Sequence, residues 1–342
     1  MKTRFAVGLL FGAVTLAATL YYAGPIVCVR TLADLGVLGL LILVMVHLPI
    51  ESVLGLAWYS VAGDSPSVGW HRFVWARFVR DAAGELLPFS QIGGFVLGTR
   101  ALRLPGALAV RGVLSTVIDL LMELAAKVPY VLIGAIGLSS VAPRSGLMRQ
   151  LGLGIGLSVL GIAAALLVRR RLTVAVGSLV GRISSRTRFL AALKPRLADD
   201  AFDCEAQRMI QQSGLRLAFV LHLCCWLMGA FEAWLVFALL GRPVTGVQAL
   251  LIDSAVVGLR TFAFWVPAAA GVQEASYALA CALFGIPPAT AVAASLARRA
   301  RDLALGTATF AIATWLDARH PRDTNLEAAG SRDTPRSEPR GL

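Results

Sequence analysis

Leu35–Val61 reads LGVLGLLILVMVHLPIESVLGLAWYSV, a run in which only His47 and Glu51 are readily ionised. It exceeds the roughly 20 residues that an α-helix needs to cross hydrocarbon. Lipid offers no water to peptide groups, so such a run must close its hydrogen bonds within itself, as a helix. Further apolar runs are Phe5–Pro25, Val113–Leu138, Leu147–Val168, Leu215–Leu240 and Val247–Pro267. Apolar residues fill 57% of the chain, more than the largely polar surface of a soluble domain allows. The fold class is therefore all-α: a polytopic helical membrane protein with about six to eight transmembrane helices.

The net charge of +12 would point to nucleic acid in a soluble protein. In this chain the arginines collect between apolar runs, as the positive-inside rule requires, so no nucleic-acid partner is expected. Arg169, Arg170, Arg171, Arg182, Arg186 and Lys194 mark 169–213 as a basic cytoplasmic loop. Lys2 and Arg4 place the N-terminus on the same side, and Arg319 and Arg322 the C-terminus, which requires an even number of crossings. Lys2 and Arg4 before an apolar run also fit a signal peptide, but the run is long and lacks a small-residue cleavage site, so a retained first helix is expected. Residues 1–317 form the transmembrane domain, and 318–342, polar and without an apolar period, a disordered cytoplasmic tail. The five cysteines show no zinc or redox spacing.

Two segments are interrupted. In the first, Arg80 is followed by Pro88, Gly93 and Gly94, a short apolar run, Pro105–Gly106, and a long helix carrying Arg111, Ser115 and Asp119. In the second, Arg260 is followed by Pro267 and Gly271, a short apolar run to Phe284, Gly285–Pro288, and a long helix carrying Ser295, Arg298, Arg301 and Asp302. The shared order suggests an internal repeat with two broken or re-entrant segments, the pattern that marks transporter-type sites. The competing explanation is the general frequency of Pro and Gly in membrane helices. Pro88, Gly93, Gly94, Pro267 and Gly271 are the expected hinges. Trp70–Gly84 mixes Trp and Phe with Arg72, Arg77 and Arg80, and is expected in or near the headgroup layer.

Arg111, Ser115, Asp119, Glu123 and Lys127 fall four apart, one slowly drifting stripe about 24 Å long. Lipid cannot face it, so it lines a polar cavity or pairs, with Glu123–Lys127 as the local i,i+4 option. Arg298 and Arg301 share a face of the last helix and suit a phosphate or carboxylate, unless Arg298 and Asp302 satisfy each other. His47 and Glu51 flank Pro49 at i,i+4, a spacing that could bind metal or relay a proton, though a structural hydrogen bond outweighs both. Glu232 is a candidate lining residue, and no contact with His222 is implied. Asp199, Asp200 and Asp203 have the Asp-Asp-x-x-Asp pattern of diphosphate-Mg²⁺ sites, but lie in the basic loop without a second acidic cluster and read as a solvated face. No catalytic constellation, metal site or cofactor motif is expected.

Glu85-Leu-Leu-Pro88-Phe-Ser-Gln-Ile-Gly93-Gly94, Ser115-Thr-Val-Ile-Asp119-Leu-Leu-Met-Glu123, Val266-Pro-Ala-Ala-Ala-Gly271-Val-Gln-Glu274 and Ser295-Leu-Ala-Arg-Arg-Ala-Arg301-Asp302 resemble the flippase-like transmembrane region of lysylphosphatidylglycerol synthetases. The resemblance is closest to the hopanoid-biosynthesis-associated branch and covers about residues 5 to 317. Ala268 departs from the Pro-Gly start usual at the second site. The resemblance implies a multi-pass lipid transporter of a bacterial inner membrane, handling hopanoid or phospholipid. Proteins of lipid biosynthesis or transport are the implied partners. The synthetases' aminoacyl-transferase domain has no counterpart in the sequence, so no enzyme activity is implied. A membrane enzyme using Asp119, Glu123 and Glu274 as acid/base groups, and a non-catalytic scaffold, are the alternatives. Gln91, Asp119, Glu123, Arg260, Glu274, Arg298, Arg301 and Asp302 are the candidate substrate-binding residues. Gln91, Arg260, Glu274 and Arg301 are expected to line one pocket.

Overall fold

The computed structural model describes residues 2–63, 68–86, 90–102, 104, 106–141, 156, 208–209, 214–261, 266 and 269–319, with the side chains of 2–9, 11–12, 90–92, 106–110 and 317–319 left aside. The apolar run Leu147–Val168, nearly all of the basic loop, the Asp-Asp-x-x-Asp motif, Pro88, Pro267 and the tail beyond Arg319 lie outside the described residues.

The described chain is helical: α1 (Lys2–Ala23), α2 (Pro25–Ala62), α3 (Trp70–Leu86), α4 (Ser90–Ala101), α5 (Gly106–Val141), α6 (Gly214–Leu239), α7 (Gly246–Arg260), α8 (Val272–Ala282) and α9 (Pro288–Arg319). By length and apolar composition, Pro25–Ala62, Arg111–Val141 and Gly214–Leu239 can cross a membrane. α2 is broken at Gly36, whose φ of 62° only glycine adopts readily. α9 runs two residues past the expected domain end at 317.

Polarity is inverted relative to a water-soluble protein. Val37, Leu38, Ile136, Leu217 and Phe231 are exposed, whereas Glu51, Arg77, Asp119, Glu232, Glu274 and Arg301 are buried. In water this would leave a large apolar surface wet, but in a bilayer it faces hydrocarbon outward and gathers charge within the bundle.

Both interrupted segments are helix pairs leading to a long helix: α3 and α4 before α5, α7 and α8 before α9. The first helix of each pair packs on the long helix of the other unit, α3 on α9 and α7 on α5. Small residues allow the close approach. A Cβ on Gly98 would meet Arg80 Cβ at 2.7 Å, and one on Gly94 would meet the Arg80 carbonyl oxygen at 2.6 Å. These two glycines, four apart, let α4 lie directly on α3. The Trp70–Gly84 stretch, expected in or near the headgroup layer, lies in α3, which packs against α2, α4 and α9. Arg77 and Arg80 can sit inside because carboxylates of α5 meet them. The aromatic residues pack too, Phe73 edge-on to Trp58 at 5.7 Å.

Candidate functional site

A cavity of about 490 Å³ opens between the two helix pairs. The first unit contributes Arg77, Arg80, Glu85 and Gly94, the second Asp253, Arg260, Ala269, Gln273 and Tyr277. α2 adds His47 and Glu51, α5 Glu123 and Lys127, α6 Trp226 and Glu232, and α9 Arg298, Arg301 and Asp302.

One wall is an ion network between α3 and α5. Arg80 Nη1 donates to Asp119 Oδ2 at 2.7 Å, and its Nη2 to Glu123 Oε2 at 3.1 Å. Arg77 donates through Nη1 to Glu123 Oε2 at 3.0 Å and through Nε to Asp81 Oδ2 at 2.6 Å. His222 Nε2 on α6 approaches Asp119 Oδ1 at 2.9 Å. Ser115, on the same stripe, accepts from Trp58 Nε1 at 3.0 Å. The partners of Asp119 and Glu123 are therefore on α3 and α6. Lys127 turns instead to the ring of Trp226, with Nζ 5.2 Å from its centroid, so the local Glu123–Lys127 option is not taken.

The facing wall has reversed polarity, with arginines on the long helix. Arg301 bonds Glu232 through Nη1 and Asp302 through Nη2. Arg298 bonds Asp253 and donates to Tyr277 Oη at 2.6 Å, while Tyr130 Oη donates to Asp253 Oδ2 at 2.6 Å. Arg298 thus turns to α7 rather than to Asp302.

His47 joins the two walls. Its Nδ1 is 3.1 Å from Glu232 Oε2 and its Nε2 is 3.2 Å from Glu51 Oε1, while Glu51 Oε2 lies 4.0 Å from Arg77 Nε. A chain of charges runs Arg301–Glu232–His47–Glu51–Arg77.

Of the expected site residues, Glu123, Arg260, Arg298, Arg301 and Asp302 line the cavity. Asp119 is fully buried beneath the wall. Glu274 does not line the cavity, contrary to expectation. It accepts from the Gly271 backbone N–H at 2.8 Å, from Ser295 Oγ at 3.3 Å and from Arg299 Nε at 3.0 Å, which pins the start of α8 to α9. Gly271, with φ of 77°, supplies the turn, whereas Ala269 holds φ of 47°, unusual for a residue with a Cβ. Gln91's side chain lies outside the described residues, and Gly94, Ala269 and Gln273 bring parts of both interrupted segments to the cavity. The expected pocket thus holds Arg260 and Arg301 without Glu274. Arg260 Nη2 reaches Glu85 Oε1 at 3.5 Å, joining the ends of α3 and α7. Among the described residues no group of three or more His, Cys, Asp or Glu side chains is arranged to hold a metal.

The sequence reading passed over Arg77, Arg80, Asp253, Tyr130 and Tyr277 as site residues. A signal did exist for the first two: arginines three apart in an amphipathic segment, next to a carboxylate-bearing helix.

Residues 5–309 match the family described as the lysylphosphatidylglycerol synthase TM region. No curated protein and no solved structure matches the chain.

Proposed function

The chain belongs to the lysylphosphatidylglycerol synthase transmembrane-region family, a membrane-protein family linked to lipid handling, and from that premise we propose that it moves lipid across a bacterial inner membrane. The cavity carries this reading. Hydrocarbon-facing helices enclose a chamber of about 490 Å³ whose two walls bear oppositely ordered rows of charge. A polar head group needs such a chamber while its tails remain in lipid, and interrupted helices let two packed units shift around it. Hopanoid or phospholipid is the proposed cargo, and proteins of lipid biosynthesis or transport are the proposed partners.

Of the three groups the acid/base enzyme alternative names, Glu123 alone lines the cavity. Asp119 and Glu274 are fully buried and bonded to their partners, which leaves neither facing the cavity. The scaffold alternative leaves the chamber without a role.

The test is purified protein in liposomes carrying fluorescent hopanoid or phospholipid analogues, with an impermeant quencher outside. Transport makes inner-leaflet label accessible, and Arg301→Ala abolishes the effect while the protein stays monodisperse. Label movement equal to that of empty liposomes, for every lipid tried, overturns the reading. Lipid analysis of a deletion strain then separates hopanoid from phospholipid cargo.

A further inference from the structure

The His47 junction requires a proton that neutral histidine does not supply. An ionised carboxylate only accepts hydrogen bonds, and a neutral imidazole has one N–H. Yet both ring nitrogens of His47 face carboxylate oxygens, Glu232 at 3.1 Å and Glu51 at 3.2 Å. Making both bonds takes one further proton, either on the second ring nitrogen or on one of the two carboxyls. The count does not depend on which group carries it.

The surroundings pull in both directions, and the net charge decides for uptake. Arg301 and Arg298 on α9 reach Glu232, and Arg77 on α3, itself bonded to Asp81, approaches Glu51. Even so, the cavity and its two ion networks hold eight carboxylates (Glu51, Asp81, Glu85, Asp119, Glu123, Glu232, Asp253 and Asp302) against six Lys and Arg. Unneutralised charge in a membrane interior is expensive, and added protons relieve the excess. His47 also lines the cavity, so water in that space can deliver a proton to it.

We propose that His47, with Glu51 and Glu232, is a proton-binding site that couples lipid movement to the proton gradient. Occupied, the site ties α2 to α6 and thereby the α3–α5 wall to the α7–α9 wall. Emptied, it keeps one N–H between two ionised carboxylates, so Glu51 on α2 competes with Glu232 on α6 for it and the tie between the walls weakens. The balance is one proton bound and one released per cycle, with no bond formed or broken in the lipid. The inference rests on the lipid-transport reading and adds its energy source.

The first test uses the detergent-purified full chain labelled with ¹⁵N-histidine. The chain has four histidines, and His47→Gln identifies the resonances of His47 by their loss. A pH titration should show His47 gaining a proton together with a change in the Glu51 and Glu232 carboxyl infrared bands, and Glu51→Gln should displace that titration. A ring that stays singly protonated, with both carboxyls ionised throughout, overturns the proposal without any transport measurement.

The second test uses the liposomes above. If one proton accompanies each lipid, a gradient of one pH unit shifts the lipid distribution by about tenfold, and His47→Gln removes the shift. Lipid movement that ignores the gradient in wild type overturns proton coupling but leaves lipid transport standing. No lipid movement under any condition overturns the transport reading instead.

Discussion

Arg80 and Asp119 meet at 2.7 Å although α3 and α5 supply them from opposite ends of an interrupted segment. Asp119 is fully enclosed, and His222 takes its second oxygen at 2.9 Å. A carboxylate so placed is stable only while its partners remain.

Removing Arg80 should therefore destabilise the fold by about 3–5 kcal/mol, the usual cost of stranding a buried charge. Arg80→Ala and Asp119→Ala should each lower the melting temperature in detergent. The double variant should fall well short of the sum of the two. Additive effects would show that the pair is not coupled.

Glu123 keeps a partly exposed side chain at 19%, whereas Asp119 on the same stripe has none. In a cysteine-free background, Glu123→Cys should react with a water-soluble thiol reagent and Asp119→Cys should not, as mass spectrometry of the intact protein would show. Equal labelling would mean that the wall between them is open.

Gly98 is one of the two points where α4 lies directly on α3. Gly98→Leu forces Arg80 aside and should cost about 1–3 kcal/mol, with loss of lipid movement because Arg80 leaves Asp119 and Glu123. A melting curve and the liposome assay would report the two effects separately. Unchanged values in both would show that the contact is loose.

Ala269 holds a left-handed conformation that glycine adopts without penalty. Ala269→Gly should stabilise the protein by about 1 kcal/mol, read as a higher melting temperature. A decrease would show that the Cβ contributes packing worth more than the strain.

The helical membrane fold and the two interrupted units were legible in the sequence because hydropathy and Pro/Gly punctuation are local signals. The need for partners at Asp119 and Glu123 was legible too. Which partners they take was not. Lys127 sits one turn from Glu123 and satisfies the i,i+4 rule, yet Arg77 and Arg80, more than forty positions upstream of it, hold that carboxylate. Likewise Arg298 passes over Asp302 for Asp253, 45 positions away. Local spacing offers candidates, and tertiary packing chooses among them. Glu274 shows the opposite failure. It stood in a recognisable motif, but that motif caps α8 against α9 rather than facing the cavity.

The Arg260–Glu85 contact has a mechanical consequence. Both side chains are about one-third exposed and their atoms stand 3.5 Å apart, so the pair is wet and long. Such pairs contribute roughly 0–1 kcal/mol, and even at the upper figure about one molecule in six has the contact open at any moment. The enclosed pairs resist separation far more strongly. The compliance of the assembly is thus graded with burial: its exposed pair breathes spontaneously, and its enclosed pairs yield only when the charges there are exchanged for others.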